Sequence, residues 1–251
     1  MDKTSSLETM LAAAAGLGKY RFQLQAMMTD ILTYTMATGC PGKVLEQGRL
    51  MEIAAGIIFG TALVLTSLCI NRLILGSKLR IDFYGLALTA SSVLLLAVIG
   101  ESLINPLYEL WFGSKLWEYR ILPLHDQNVS ALGLIVWTAY GIHLYFAKQT
   151  LEAKLPPRWN TPFGIAFIIG FEAPFVFEIL GNLIFLRLLG DYYAYYLPSD
   201  VYHLTSFQVI PIYMLCVYIG LLILDYLTRQ PRRITLPPAI FGAGIVYVLA
   251  G

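Results

Sequence analysis

Two glutamates fall inside runs of the chain that otherwise read as membrane helix. Glu178 lies in FEAPFVFEILGN (Phe171–Asn182) and Glu101 in a second apolar run, and each is followed four residues on by an asparagine, Asn182 and Asn105. Ionisable side chains inside a bilayer are costly and mark functional sites by default. Both Glu-x-x-x-Asn pairs follow a basic loop and precede an aromatic one, so they sit toward the same membrane face. Two carboxyls at one depth in a water-poor site do not both ionise at neutral pH, and the one that stays neutral can donate a proton. At about 100° per residue, Phe163, Phe167, Phe171, Phe175, Glu178, Asn182 and Phe185 form one stripe, with Glu172 on the far side. Pro174 on that stripe frees the carbonyl of Gly170 and invites a kink, which leaves room beside the acid. The chemistry expected of this set is protonation of an alkene or epoxide by Glu178. Glu101 would be the partner that keeps Glu178 neutral, and Asn105 and Asn182 would orient the two. Phe171, Phe175, Trp111, Trp117, Tyr193 and Tyr196 would line the pocket, since aromatic faces stabilise a desolvated cation by about 1–2 kcal/mol. Arg187, three turns past Glu178, is placed to orient an anionic headgroup. No DDxxD-type acidic motif accompanies it, which argues against ionisation of a prenyl diphosphate.

The elements that must carry these residues follow from composition and length. Of 251 residues, 57% are hydrophobic and 13% charged, against about a quarter charged in a soluble domain. The chain is therefore read as an all-α, polytopic membrane helix bundle. A span needs about 20 mostly apolar residues, and 51–71, 83–105, 129–147, 162–189 and 204–227 qualify, with a short sixth from Pro237 to Gly251. Residues 1–50 form a separate segment, read as an N-terminal amphipathic helix lying in the interface. It opens on a capping box, Ser5 to Glu8, and ends at GCPGK (Gly39–Lys43). Residues 51–251 form the bundle, whose loops 106–128 and 190–203 are dense in Trp and Tyr. Rings with a polar tip collect at headgroup depth; the alternative for these loops is a lid over a cavity. Nine Lys and Arg follow spans one, three and five, against three on the opposite side. The positive-inside rule then puts the loops after spans one, three and five in the cytoplasm.

A net charge of +1 excludes a basic field for nucleic acid. Cys40, Cys69 and Cys216 are widely spaced, and the histidines form no HxxxH, so neither zinc-ligand spacing nor a disulfide framework appears and no cofactor is expected. His143 inside span three is expected to be hydrogen-bonded within the bundle, and Asp225 to pair with Arg229 four residues on. A duplication of spans one–two and three–four would account for the two Glu–Asn pairs. LWEY (Leu116–Tyr119) and NPLYELW (Asn105–Trp111) resemble stretches of emopamil-binding-type sterol isomerases and of membrane-bound meroterpenoid cyclases, each over fewer than ten residues. The combined expectation is an intramembrane enzyme that cyclises, isomerises or hydrates an apolar isoprenoid or lipid after protonating it. The competing expectation is a non-catalytic subunit of a larger complex, or a small transporter. It rests on the interfacial segment, on the short last span, and on the Gly56/Gly60 GxxxG face, which suits a partner subunit or a second copy.

Overall fold

The computed structural model describes residues 41–250. The amphipathic helix expected over residues 7–38, and Cys40, lie outside the described residues. The described chain is mostly helical: α1 (Pro41–Leu75), α2 (Phe83–Phe112), α3 (Gly133–Lys154), α4 (Pro162–Glu172), a π-helical turn (Ala173–Glu178), α5 (Ile179–Leu189), α6 (Val209–Arg229) and α7 (Leu236–Leu249). Short strands β1 (Trp117–Tyr119), β2 (Pro123–Leu124), β3 (Val129–Ser130) and β4 (Ala194–Tyr196) lie in the two aromatic loops. Among the described residues, four helices are long and apolar enough to cross a membrane: Gly48–Lys78, Phe83–Phe112, Pro162–Leu189 and Val209–Arg229. Their outer faces carry large bare apolar side chains, such as Leu73 and Phe83, while Asn105, Asn182, Ser130 and Thr205 are buried. A soluble domain shows the reverse arrangement.

The boundaries shift for local reasons. α1 begins at Pro41 and runs through residue 50, where the sequence suggested a division. α2 continues past Pro106, which sits inside the helix rather than at its end, so the first third of the expected loop 106–128 is helical. Proline is tolerated within membrane helices when neighbouring groups re-satisfy the freed backbone. α2 and α5 each stop at a glycine in the left-handed region, Gly113 and Gly190, both at φ 76°, where a side chain would be strained. α4 starts with Thr161 accepting the amide of Gly164 at 3.1 Å and with Pro162 in its first turn. Pro237 and Pro238 likewise lie in the first turn of α7, as the sequence indicated.

The GxxxG motif is used inside the chain. Gly56 faces Leu132, and Gly60 faces Ile135 and Ala139, so the face expected to meet a partner is covered by α3 and its approach. α2 and α3 meet still more closely. A Cβ at Gly141 would sit 2.7 Å from the Ala90 Cα and 3.0 Å from the Val93 Cβ. Gly141→Ala must therefore push the backbones of α2 and α3 apart. We expect a loss of about 1–3 kcal/mol, read as a lowered unfolding temperature in detergent, while Gly242→Ala, which meets nothing within 4 Å, leaves it unchanged.

Candidate active site

The two aromatic loops close over the same end of the bundle because their strands pair. β1 and β4 are antiparallel, with Trp117 opposite Tyr196, Glu118 opposite Tyr195 and Tyr119 opposite Ala194. Two further backbone bonds, Arg120 N–H to Tyr193 O and Leu197 N–H to Leu116 O, both at 3.0 Å, extend the pair on either side. Asparagines about two turns before the ends of α2 and α5 hold these strands. Asn105 accepts from the Leu116 amide at 2.8 Å and donates to Trp117 O at 2.9 Å and to Asn128 Oδ1 at 2.6 Å. Asn182 accepts from the Ala194 amide at 3.0 Å and donates to Ala194 O at 2.9 Å and to Leu204 O at 2.6 Å. The asparagines therefore clamp the cap rather than touch the carboxyls, as the sequence reading had them do.

The strands then deliver the donors. Tyr119 donates to Glu101 Oε1, and Trp137 Nε1 donates to the same oxygen at 3.1 Å. Tyr196 and Tyr213 donate to Glu178 Oε1, the latter at 2.6 Å, and Thr205 donates to Glu178 Oε2. Burial, reinforced by the neighbouring carboxyl, pushes the Tyr119 and Tyr196 phenols well above the ordinary tyrosine range, so both are neutral donors. Glu178 has both oxygens occupied. Glu101 does not: it is 8% exposed, and its Oε2 is buried without a hydrogen-bond partner.

This arrangement is a two-fold repeat. Glu178, Asn182, Gly190, Ala194 and Tyr196 each lie 77 residues beyond Glu101, Asn105, Gly113, Trp117 and Tyr119. After a one-residue offset, Ser206 and Tyr213 follow Ser130 and Trp137 by 76. The strand register places the pseudo-axis between Glu118 and Tyr195. The repeating unit is thus α2–cap–α3 with α4–α5–cap–α6. The equivalence of spans two and four that the sequence suggested is retained, and spans three and five are matched as well.

Both carboxyls line one chamber of about 140 Å³ enclosed by α2, α3, α4 and α6. Trp117, Tyr119, Trp137, Tyr140, Tyr196 and Tyr213 surround its acidic end; further along, Leu96, Leu144, Ile169 and Leu221 line it, and Lys148 stands at the far end. From Trp137 to Lys148 along α3 is about 16 Å at 1.5 Å per residue, so the chamber is long and narrow. Cys216 lines it and is exposed, so the wall of the chamber reaches the outer surface at α6.

Several expected lining residues are elsewhere. Phe171 is 42% exposed and, with Phe167, Phe175 and Phe207, belongs to an aromatic ladder outside the chamber, while Phe163 packs on Tyr218. The cause is the π-turn at Ala173–Glu178. It takes in one extra residue and so rotates everything beyond it by about 100° relative to a straight helix, turning Glu178 inward and leaving the phenylalanines outside. Trp111 is 77% exposed in the last turn of α2. Arg187 stands in the last turn of α5 and does not line the chamber. Trp117 and Tyr196 do line it, and Tyr193 is buried behind them.

The sequence reading missed Tyr119, Trp137, Tyr140, Thr205 and Tyr213. The available signal was the 18-residue step from each glutamate to a tyrosine, Glu101 to Tyr119 and Glu178 to Tyr196. Glu172 was also placed without a partner. It accepts from Tyr140 Oη at 2.9 Å and lies 3.4 Å from His143 Nε2, and His143 Nδ1 lies 2.9 Å from Ser67 Oγ. His143 is thus engaged inside the bundle as expected, and Asp225 pairs with Arg229 at 2.6 Å.

Comparison with family models, with curated proteins and with solved structures returned no match to this chain.

Proposed function

We propose that the chamber is the active site of an intramembrane enzyme that protonates an apolar isoprenoid or lipid alkene or epoxide and so cyclises, isomerises or hydrates it. The observation that carries this reading is the unequal hydrogen bonding of two carboxyls on one apolar chamber. An acid with one oxygen free of protein partners can present a proton to a ligand. A carboxyl that accepts three hydrogen bonds is built to be a carboxylate. Glu101 is therefore the proton donor and Glu178 the group that takes a proton from the product cation, the reverse of the order read from sequence. The rings of Trp117, Trp137 and Tyr140 face the developing cation, and the aliphatic length of the chamber holds the rest of the chain. Entry is lateral, past Cys216.

Of the three motives for the subunit reading, the N-terminal segment lies outside the described residues, and the other two have partners within the chain. Gly56 and Gly60 are covered by the chain's own α3. The short α7 is seated within the fold, with Tyr247 stacked on His125 and its carbonyl 3.1 Å from His125 Nε2. In this proposal α3 and α7 cross beside the four long helices, giving six spans. The loops after α1, α3 and α6, which carry most of the basic residues, are cytoplasmic.

The test is isotopic. Membranes containing the protein are incubated in D₂O with farnesyl and geranylgeranyl lipids and their terminal epoxides. An alkene substrate is expected to give a product with one non-exchangeable C–D bond, whereas an epoxide takes its deuteron on oxygen, where it exchanges away, and is read by its cyclised or hydrated product alone. Conversion of an alkene without deuterium uptake would overturn the acid mechanism.

A further inference from the structure

A second cavity, of about 20 Å³, adjoins the chamber. Tyr119, Trp137, Glu178, Tyr196 and Tyr213 line both. These five are Glu178 together with the donors to the two carboxyls, Thr205 excepted, so the hydrogen-bonded set is itself the partition. Asn182 and Tyr193 line the small cavity from its other side. Tyr193 is 8% exposed, and its hydroxyl lies near the side chains of Ser130 and Tyr119 without a well-aligned hydrogen bond to either. A buried water needs about 10–15 Å³ of such space and two to four polar partners. The small cavity has room for one, and Tyr119, Glu178, Tyr193, Tyr196 and Tyr213 on its wall carry the hydroxyls and the carboxyl that would bond it.

We infer that the small cavity binds a water molecule that returns the proton from Glu178 to Glu101 after each turnover. The inference rests on the acid mechanism proposed above. A cyclisation or isomerisation begins with a proton leaving Glu101 and ends with one arriving on Glu178. The substrate's proton count is unchanged, but the two acids have exchanged states. While apolar product fills the chamber, the return path must run behind the partition. Glu178 gives its proton to the water, and the water passes one of its own to the Tyr119 oxygen. Tyr119 delivers the proton it already points at Glu101 Oε1, and a half-turn of that carboxyl presents the proton to the chamber. Water and tyrosine each end as they began, and only the carboxyls have changed.

Gly181→Ala and Tyr193→Phe test this without a substrate. Gly181 lines the small cavity, and a Cβ there would stand 3.2 Å from the ring of Phe59, which lines it too, so alanine crowds the water's space without replacing any donor to the carboxyls. Infrared spectra of the purified protein are recorded in ordinary and ¹⁸O-labelled water, and the buried carboxyl band is followed after transfer to D₂O. The wild type is expected to show a water O–H band that moves with ¹⁸O. That band is lost in Gly181→Ala and shifted in Tyr193→Phe, and hydrogen–deuterium exchange of the carboxyl slows by about 10²-fold in Gly181→Ala, the lower end for a positioned proton transfer. A wild type without the ¹⁸O-sensitive band, or Gly181→Ala exchanging at the wild-type rate, overturns the inference. Should Gly181→Ala fail to fold, Tyr193→Phe decides alone: an unshifted band and unslowed exchange overturn it. Failure of the acid chemistry itself is read separately, from turnover in glutamate variants.

Discussion

Glu101→Gln is expected to lower turnover by about 10²–10⁴-fold, the range for loss of a general acid, with the fold and ligand affinity little changed. The amide is isosteric and can still accept from Tyr119 and Trp137, so the cap stays docked. What it lacks is a proton acidic enough to give to a carbon–carbon double bond or to an epoxide oxygen. Glu178→Gln should fall less far when the product cation can lose its proton to water, and it should then shift the product mixture toward hydrated species. Turnover of the same substrate panel, with products resolved by mass spectrometry, checks both. Glu101→Gln at the wild-type rate would remove the acid from the mechanism. Loss of ligand binding rather than of turnover would make Glu101 a binding group instead.

Asn105→Ala is expected to be the most destabilising single change in the cap, although its side chain lies outside the chamber. Asn105 is 0% exposed, and alanine would leave the Leu116 amide, the Trp117 carbonyl and the Asn128 side chain without their partner. Each buried unsatisfied group costs about 1–3 kcal/mol, so a loss of about 3 kcal/mol or more follows. Asn182→Ala removes the equivalent clamp on Ala194 and Leu204 and should behave alike. The expected signature is a lower unfolding temperature and faster proteolysis within residues 113–132, with helix content retained. It should be accompanied by reduced turnover, because Tyr119 no longer reaches Glu101. An unchanged unfolding temperature in both variants would show that the strands hold each other without the asparagines.

The fold was legible wherever hydropathy alone decides. Long apolar runs at 51–71, 83–105, 162–189 and 204–227 became helices that can cross a membrane, with ends displaced by a few residues. The acids were legible because a carboxyl in such a run has no passive explanation. Their surroundings were harder. Periodicity carries an angle forward only while the helix remains α, and the π-turn at Ala173–Glu178 broke that count between Phe175 and Glu178. Pro174 signalled a disturbance but not its sense. The donors were hidden by a second ambiguity: Tyr119 and Tyr196 sit in loops whose aromatic content already has an interfacial explanation. Only pairing of β1 with β4, a contact between residues some 77 apart, shows that they turn inward. The repeat was obscured because its equivalent positions hold different residues doing the same work, Trp137 and Tyr213 each donating to a carboxyl.

The strand pair across the pseudo-axis has a mechanical consequence. Helices in a bilayer tilt and slide to match its thickness, and acids anchored only to helices would drift apart as they do so. Here each carboxyl is tied through a phenol to one of two strands bonded to each other. Relative movement of α2 against α5 is therefore resisted at the reacting end and taken up near Lys148. The enzyme proposed here should keep its acid geometry in thick and thin membranes alike, and lipid composition should alter how readily a chain enters past Cys216 far more than what happens to it once inside.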